Sequence, residues 1–226
     1  AAIRYGVYAL QRAEVLGKAN TGLDIHEKPY YEYRILNHWD NLDDTVERGY
    51  AGLSMWEWTA KEIPTERIHH YGELCASVGL NGAVLNNVNA NPLILNKEHI
   101  ERVAQIANIL REYGITTYLS IKWTSPVTLD GLKSGDPLDP KVRHWWKNKA
   151  AEIYTAIPDF GGFLVKANSE GQAGPQDYGR THADGANMLA EAVAPYGGII
   201  MWRAFVYNPT SSDRDSQAEE EFKSID

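Results

Sequence analysis

Cysteine is nearly absent from these 226 residues: Cys75 stands alone, so no disulfide framework can hold the fold. It sits in the helix-like stretch ELCASVGL and reads as a small buried hydrophobe. Long apolar runs are also missing. None approaches the roughly eighteen residues that a membrane span needs, so no membrane partner is expected. There is no block of lysines and arginines, and the formal net charge is −8, which argues against nucleic acid. His38, His69, His70 and His182 are not spaced with Cys or carboxylates as metal ligands are, so neither a metal nor a cofactor is expected. No glycine-rich phosphate fingerprint follows the first strand, which disfavours a dinucleotide fold. No secretory leader is visible, and a bacterial cytoplasmic setting is expected.

What remains is an ordinary globular composition, 43% hydrophobic and 23% charged, with length for one large domain or two small ones. Seven tryptophans and thirteen tyrosines stand out, and such rings are common platforms for sugars. Tyr5 to Lys18 reads as an amphipathic helix, and residues 1–24 as a helical lead-in. From residue 25 onward strands and helices alternate. Strands are expected at Glu32–Leu36, Gly82–Leu85, Thr116–Ile121, Phe163–Val165 and Gly198–Trp202. Leu53–Trp58 suggests a short strand or extended loop. Helices are expected over Thr65–Val78, Glu98–Tyr113, Asp139–Ile157 and Asp184–Ala194, with Gly79 and Gly114 as stops. Strands spaced roughly 35 to 50 residues apart, with helices between them, imply βαβ units and a parallel sheet.

Polar residues gather where each strand ends: His38 and Trp39, Asn87, Lys122 and Trp123, Lys166 and Glu170, then Arg203. In a (β/α)8 barrel the βα loops converge on that face, whereas a doubly wound sheet brings only one or two strand ends together. The α/β fold class expected is therefore a (β/α)8 TIM-type barrel with about five βα units present, residues 25–226 forming its N-terminal portion. The stretch FGGFLVKANSEGQAGPQ, Phe160 to Gln176, is the densest of these strand ends. A short apolar run there delivers a lysine, an amide and a carboxylate into a loop that glycine and proline keep irregular. A solvated polar loop is the plain alternative for Glu170, a salt bridge for Lys166 and Arg203, and core packing for Trp39 and Trp123. Asp184 in HADG reads as a helix cap rather than a catalyst.

Four stretches, RILNHWDN, ERGYAGLSMWEW, FLVKANSEGQAGPQDYGRTHADGANMLA and MWRAFVYNP, resemble the catalytic domain of glycoside hydrolase family 67, the α-glucuronidases. The resemblance implies an inverting, exo-acting barrel enzyme that releases α-1,2-linked (4-O-methyl)glucuronic acid from glucuronoxylan-derived oligosaccharides. It implies Glu170 as general acid, Lys166 and Arg203 as partners of the uronate carboxylate, and Trp39 and Val88 as apolar contacts. Asn87, Lys122 and Trp123 join them as candidate substrate-binding residues on the strand-end pattern alone. Arginine binds a carboxylate bidentately and lysine acts as a point charge. Both cations would lower the pKa of Glu170, so burial among aromatics must offset them.

The family's base carboxylates lie on later strands and have no counterpart up to Asp226. Inversion needs such a base across the sugar from the acid, so this chain alone is expected to be inactive. The resemblance also implies a homodimer, formed through a helical domain beyond the barrel. Two other readings stay open: a retaining barrel glycosidase acting on another acidic sugar, and a fragment that binds acidic sugars without cleaving them.

Overall fold

The computed structural model describes residues 2–18, 23–169, 171–203 and 223. Five strands, β1 (Ile35–Asn37), β2 (Gly82–Val84), β3 (Thr116–Lys122), β4 (Gly162–Lys166) and β5 (Ile199–Trp202), form one sheet in the order β1-β2-β3-β4-β5. Every neighbouring pair is parallel. Parallel neighbours need crossover connections, and a consistent right-handed crossover with no reversal in strand order places successive helices on one face. That is the curling arrangement of a barrel and not of a doubly wound sheet, so the expected partial (β/α)8 barrel is what forms.

Six α-helices are described: α1 (Ala2–Val15), α2 (Thr65–Ser77), α3 (Lys97–Glu112), α4 (Ser125–Asp130), α5 (Pro140–Ala156) and α6 (His182–Val193). Their ends follow from local chemistry. The side chains of Asn96 and Asp139 accept backbone N–H groups at the starts of α3 and α5. Gly79 and Gly114, both at positive φ, follow the last residues of α2 and α3. At α6 Thr181 is the N-cap, and Asp184 reaches back to the Thr181 N–H at 2.9 Å, so Asp184 belongs to a capping box.

One strand boundary needs correction. Strand β1 starts at Ile35 rather than Glu32, because the Tyr31 and Glu32 carbonyls are taken by Arg34 and Asn81 side chains instead of a ladder. Of the two forms expected for Leu53–Trp58, the loop is the one seen. A single antiparallel bridge joins Leu53 to Thr45, and Asp40 then holds Ser54 and Met55. Helix α4 was not anticipated, although Pro126 near its start and left-handed Gly131 after its end are helix punctuation.

The core has two layers. Between sheet and helices lie Trp56, Leu119, Ile121, Trp146, Phe163 and Val165. On the opposite, inner face of the sheet Val84, Val88, Tyr118 and Leu164 pack together, flanked by Ile35, Trp39, Ile199 and Met201. Alternation along each strand separates the two sets. At Gly162 (φ 127°) a Cβ would sit 1.9 Å from the Ile199 carbonyl oxygen, so only glycine lets β4 and β5 approach there.

Candidate functional site

The inner face changes character at the strand ends. Tyr118, Leu164 and Met201 face inward, while Ile121, Val165 and Trp202 face the helices. Continuing this alternation brings Lys122, Lys166 and Arg203 to the inner side at the C-terminal ends of three adjacent strands. Lys122 and Lys166 are in register. The Arg203 N–H donates to the Val165 carbonyl at 3.1 Å, so β5 keeps pace with β4 up to that arginine.

Lys166 is only 3% exposed, and its ammonium donates to Asn89 Oδ1 at 2.7 Å. Asn89 follows β2, so the bond reaches past the end of β3. The Asn89 N–H is itself held by Asn87 Oδ1 at 2.9 Å. Asn87 is buried, and its Nδ2 donates to Asn41 Oδ1 and to the Glu47 carbonyl. Both amide hydrogens of Asn87 are thus engaged by the scaffold.

The aromatic candidates separate. Trp39 and Val88 belong to the inner apolar cluster, on the side where the cations emerge. Trp123 is 1% exposed, donates from its indole to the Gly135 carbonyl at 3.1 Å and meets Trp202 edge to face. It lies in the layer under the helices, with no ring face open to a sugar.

The long loop between β1 and α2 is organised by Asp40, a buried carboxylate. Its Oδ2 accepts from Ser54 Oγ and the Met55 N–H, both at 2.7 Å, and its Oδ1 lies 3.6 Å from His38 Nδ1. His38 Nε2 pairs with the Tyr71 hydroxyl at 2.8 Å. Burial first, and then neighbouring Cys75, raises the Tyr71 pKa well above its ordinary value. Tyr71 therefore keeps its proton where it meets the imidazole. This network fixes the backbone on either side of Trp39, whose carbonyl accepts from the Glu47 N–H at 2.8 Å. The non-glycine residues at positive φ among those described, Asp44, Glu47, Glu57 and Asn168, all lie in the loops after β1 or β4. Such strain persists only where surrounding contacts over-determine it.

The loop after β4 is tied by Asn168 and Asp177. Asn168 Nδ2 and the Gly174 N–H both donate to Asp177 Oδ2 at 2.8 Å. Arg180 makes a bidentate pair with Asp136, at 2.9 and 2.8 Å, which joins this loop to the segment before α5. Glu170 lies outside the described residues. No cluster of His, Cys, Asp or Glu among the described residues has the arrangement of a metal site. Asn89 and Asp40 were not singled out from the sequence as individual residues. Their only signal was the unusually polar runs NHWDN and NNVN after strands, and composition does not tell which of several amides in a run turns inward.

The family model for the "Glycosyl hydrolase family 67 middle domain" matches residues 14–226. The probable alpha-glucuronidase A of Aspergillus terreus is 44% identical over 213 residues, which cover 91% of this chain and 25% of that protein. Alpha-glucuronidase A of Emericella nidulans is 42% identical over 236 residues, covering 98% of this chain and 28% of that protein. The chain thus spans about a quarter of the length of these curated relatives. With the model matching nearly end to end over a parallel sheet whose strand ends carry the conspicuous polar residues, the chain belongs to glycosyl hydrolase family 67.

Proposed function

We propose that this chain supplies the sugar-holding part of an inverting, exo-acting α-glucuronidase that releases (4-O-methyl)glucuronic acid from glucuronoxylan-derived oligosaccharides. The observation that supports the reading best is the row of Lys122, Lys166 and Arg203 on three adjacent strand ends. A neutral sugar gives no reason for three cations at one rim, whereas a uronate carboxylate does. Trp39 and Val88 form the apolar wall against the ring, and Asn87 acts by fixing the loops that carry them. Glu170 is the general acid that protonates the leaving oxygen. The base that activates water lies outside these 226 residues, and the active protein is a homodimer.

The test compares aldouronic acids with their carboxyl methyl esters, using the full polypeptide. Strong preference for the acid, lost on Lys166→Met or Arg203→Ala mainly through KM, is the expected result. Glu170→Ala should cut kcat most for poor leaving groups, because the lost step is protonation. Equal rates on acid and ester would overturn the reading. Product of retained configuration would instead favour a double-displacement mechanism.

A further inference from the structure

We infer that Asn89 is a positioning residue that sets selectivity for an acidic over a neutral sugar, by holding the Lys166 ammonium with an uncharged oxygen. The inference rests on the reading that Lys166 meets the uronate carboxylate.

A lysine 3% exposed must have acceptors, since a buried ammonium is otherwise costly and loses its proton. The usual acceptor for a buried cation is a carboxylate. Here position 89 carries an amide of nearly the same shape, 2.7 Å from Nζ. An amide oxygen supplies a hydrogen bond and a dipole without cancelling a unit of charge. The bond to Asn89 takes up no unit of that charge, whereas a carboxylate at position 89 would.

Direction matters as much as charge. The bond crosses from β4 over the end of β3 to the loop after β2, next to Val88 of the inner apolar cluster. Asn89 is not free to follow the lysine. Its N–H is fixed by Asn87, and Asn87 is fixed by Asn41 and by the carbonyl of Glu47, a residue held at φ 58°. The relay therefore fixes the ammonium relative to Trp39, whose carbonyl the same Glu47 N–H engages. Charge and ring platform are set against each other by one chain of amides.

Asn89→Asp tests the idea with little change of shape. It should form an ion pair with Lys166 and lower kcat/KM on the aldouronic acid by about tenfold or more, one such charge contact amounting to roughly 1.4 kcal/mol. The rate on the neutral methyl ester should change by less than about threefold, with a melting temperature near that of the unmodified protein. Asn89→Ala should weaken the acid without helping the ester, because the ammonium loses the bond that directs it. If the unmodified protein does not distinguish acid from ester, the reading of an acidic sugar fails. If it does, and Lys166→Met removes the distinction while Asn89→Asp leaves it intact, the role assigned to Asn89 is wrong and the reading stands. Equal losses on acid and ester in Asn89→Asp would also overturn the role, since they would mark Asn89 as scaffold only.

Discussion

Lys122 on β3 and Lys166 on β4 are in-register neighbours, so two lysine side chains leave the same face of the sheet from Cα atoms about 4.8 Å apart. Lys166 is buried and Lys122 partly so, and water screens them poorly. Like charges on neighbouring strand ends repel each other, and an anion at this rim would offset that repulsion.

Glucuronate should therefore raise the melting temperature where glucose does not. At a hundred times its Kd, a ligand that binds only the folded state stabilises by about 2.7 kcal/mol, worth roughly 5–10 °C for a chain of this size. Differential scanning fluorimetry with each sugar measures this directly. Lys166→Met should abolish the increment, and an equal shift from glucose would show that charge is not what binds.

Asp40 gives a prediction about stability. Asp40→Ala strands Ser54 Oγ and the Met55 N–H and removes the group facing His38 Nδ1. Losing a buried, charge-accepting partner of this kind costs about 2–4 kcal/mol. Asp40→Asn, which keeps one acceptor oxygen, should cost less. Urea midpoints of the two variants order the effects, and two equal, small shifts would remove Asp40 from its place at the centre of the loop.

The fold was legible because its signals are local and repeated. Buried parallel strands read as short apolar runs, and Gly79 and Gly114 mark helix ends through backbone conformations that glycine adopts freely. Placement of the site face was legible for the same reason, since alternation and strand polarity decide where Lys122, Lys166 and Arg203 go. What could not be read were side-chain destinations set by distant partners. Trp123 and Trp39 both follow strands in polar company, yet one meets Trp202 under the helices and the other joins the inner cluster. The bond from Lys166 to Asn89 spans 77 residues of sequence, and no local pattern encodes it. The α4 turn was missed because a six-residue helix is too short to show periodicity.

The pair of Arg180 and Asp136 predicts a pH dependence. Arg180's hydrogen bonds hold the Asp136 carboxyl below its ordinary value, against a smaller opposing effect of burial. A carboxyl with a depressed folded-state pKa contributes stability above its unfolded pKa of about 3.9, and loses it as pH falls through the folded value. Unfolding midpoints measured from pH 6 to pH 2 should thus drop more steeply below about pH 4 for the unmodified protein than for Asp136→Asn. The pair is partly exposed, so the difference should be small and should shrink in high salt. Parallel curves would mean that the pair contributes nothing to folding.

Two glycines near the site should respond differently to the same substitution. Gly171, at φ 77°, has nothing within 4 Å of an added Cβ, so Gly171→Ala meets only the left-handed penalty of about 1 kcal/mol. Gly162, at φ 127°, would put a Cβ 1.9 Å from the Ile199 carbonyl oxygen and 2.7 Å from its nitrogen. Those backbone atoms belong to β5, in register with Gly162 itself, and they cannot move without parting the two strands. Gly162→Ala should therefore cost more than about 3 kcal/mol, combining overpacking with backbone strain. Whatever folded protein remains should also bind glucuronate poorly, because Lys166 lies four residues along β4 and Arg203 four residues beyond Ile199. Far-ultraviolet circular dichroism during urea unfolding, with the fluorimetric glucuronate shift on the same samples, checks both parts. A Gly162→Ala protein as stable as Gly171→Ala would show that β4 and β5 are not held as close as this packing requires.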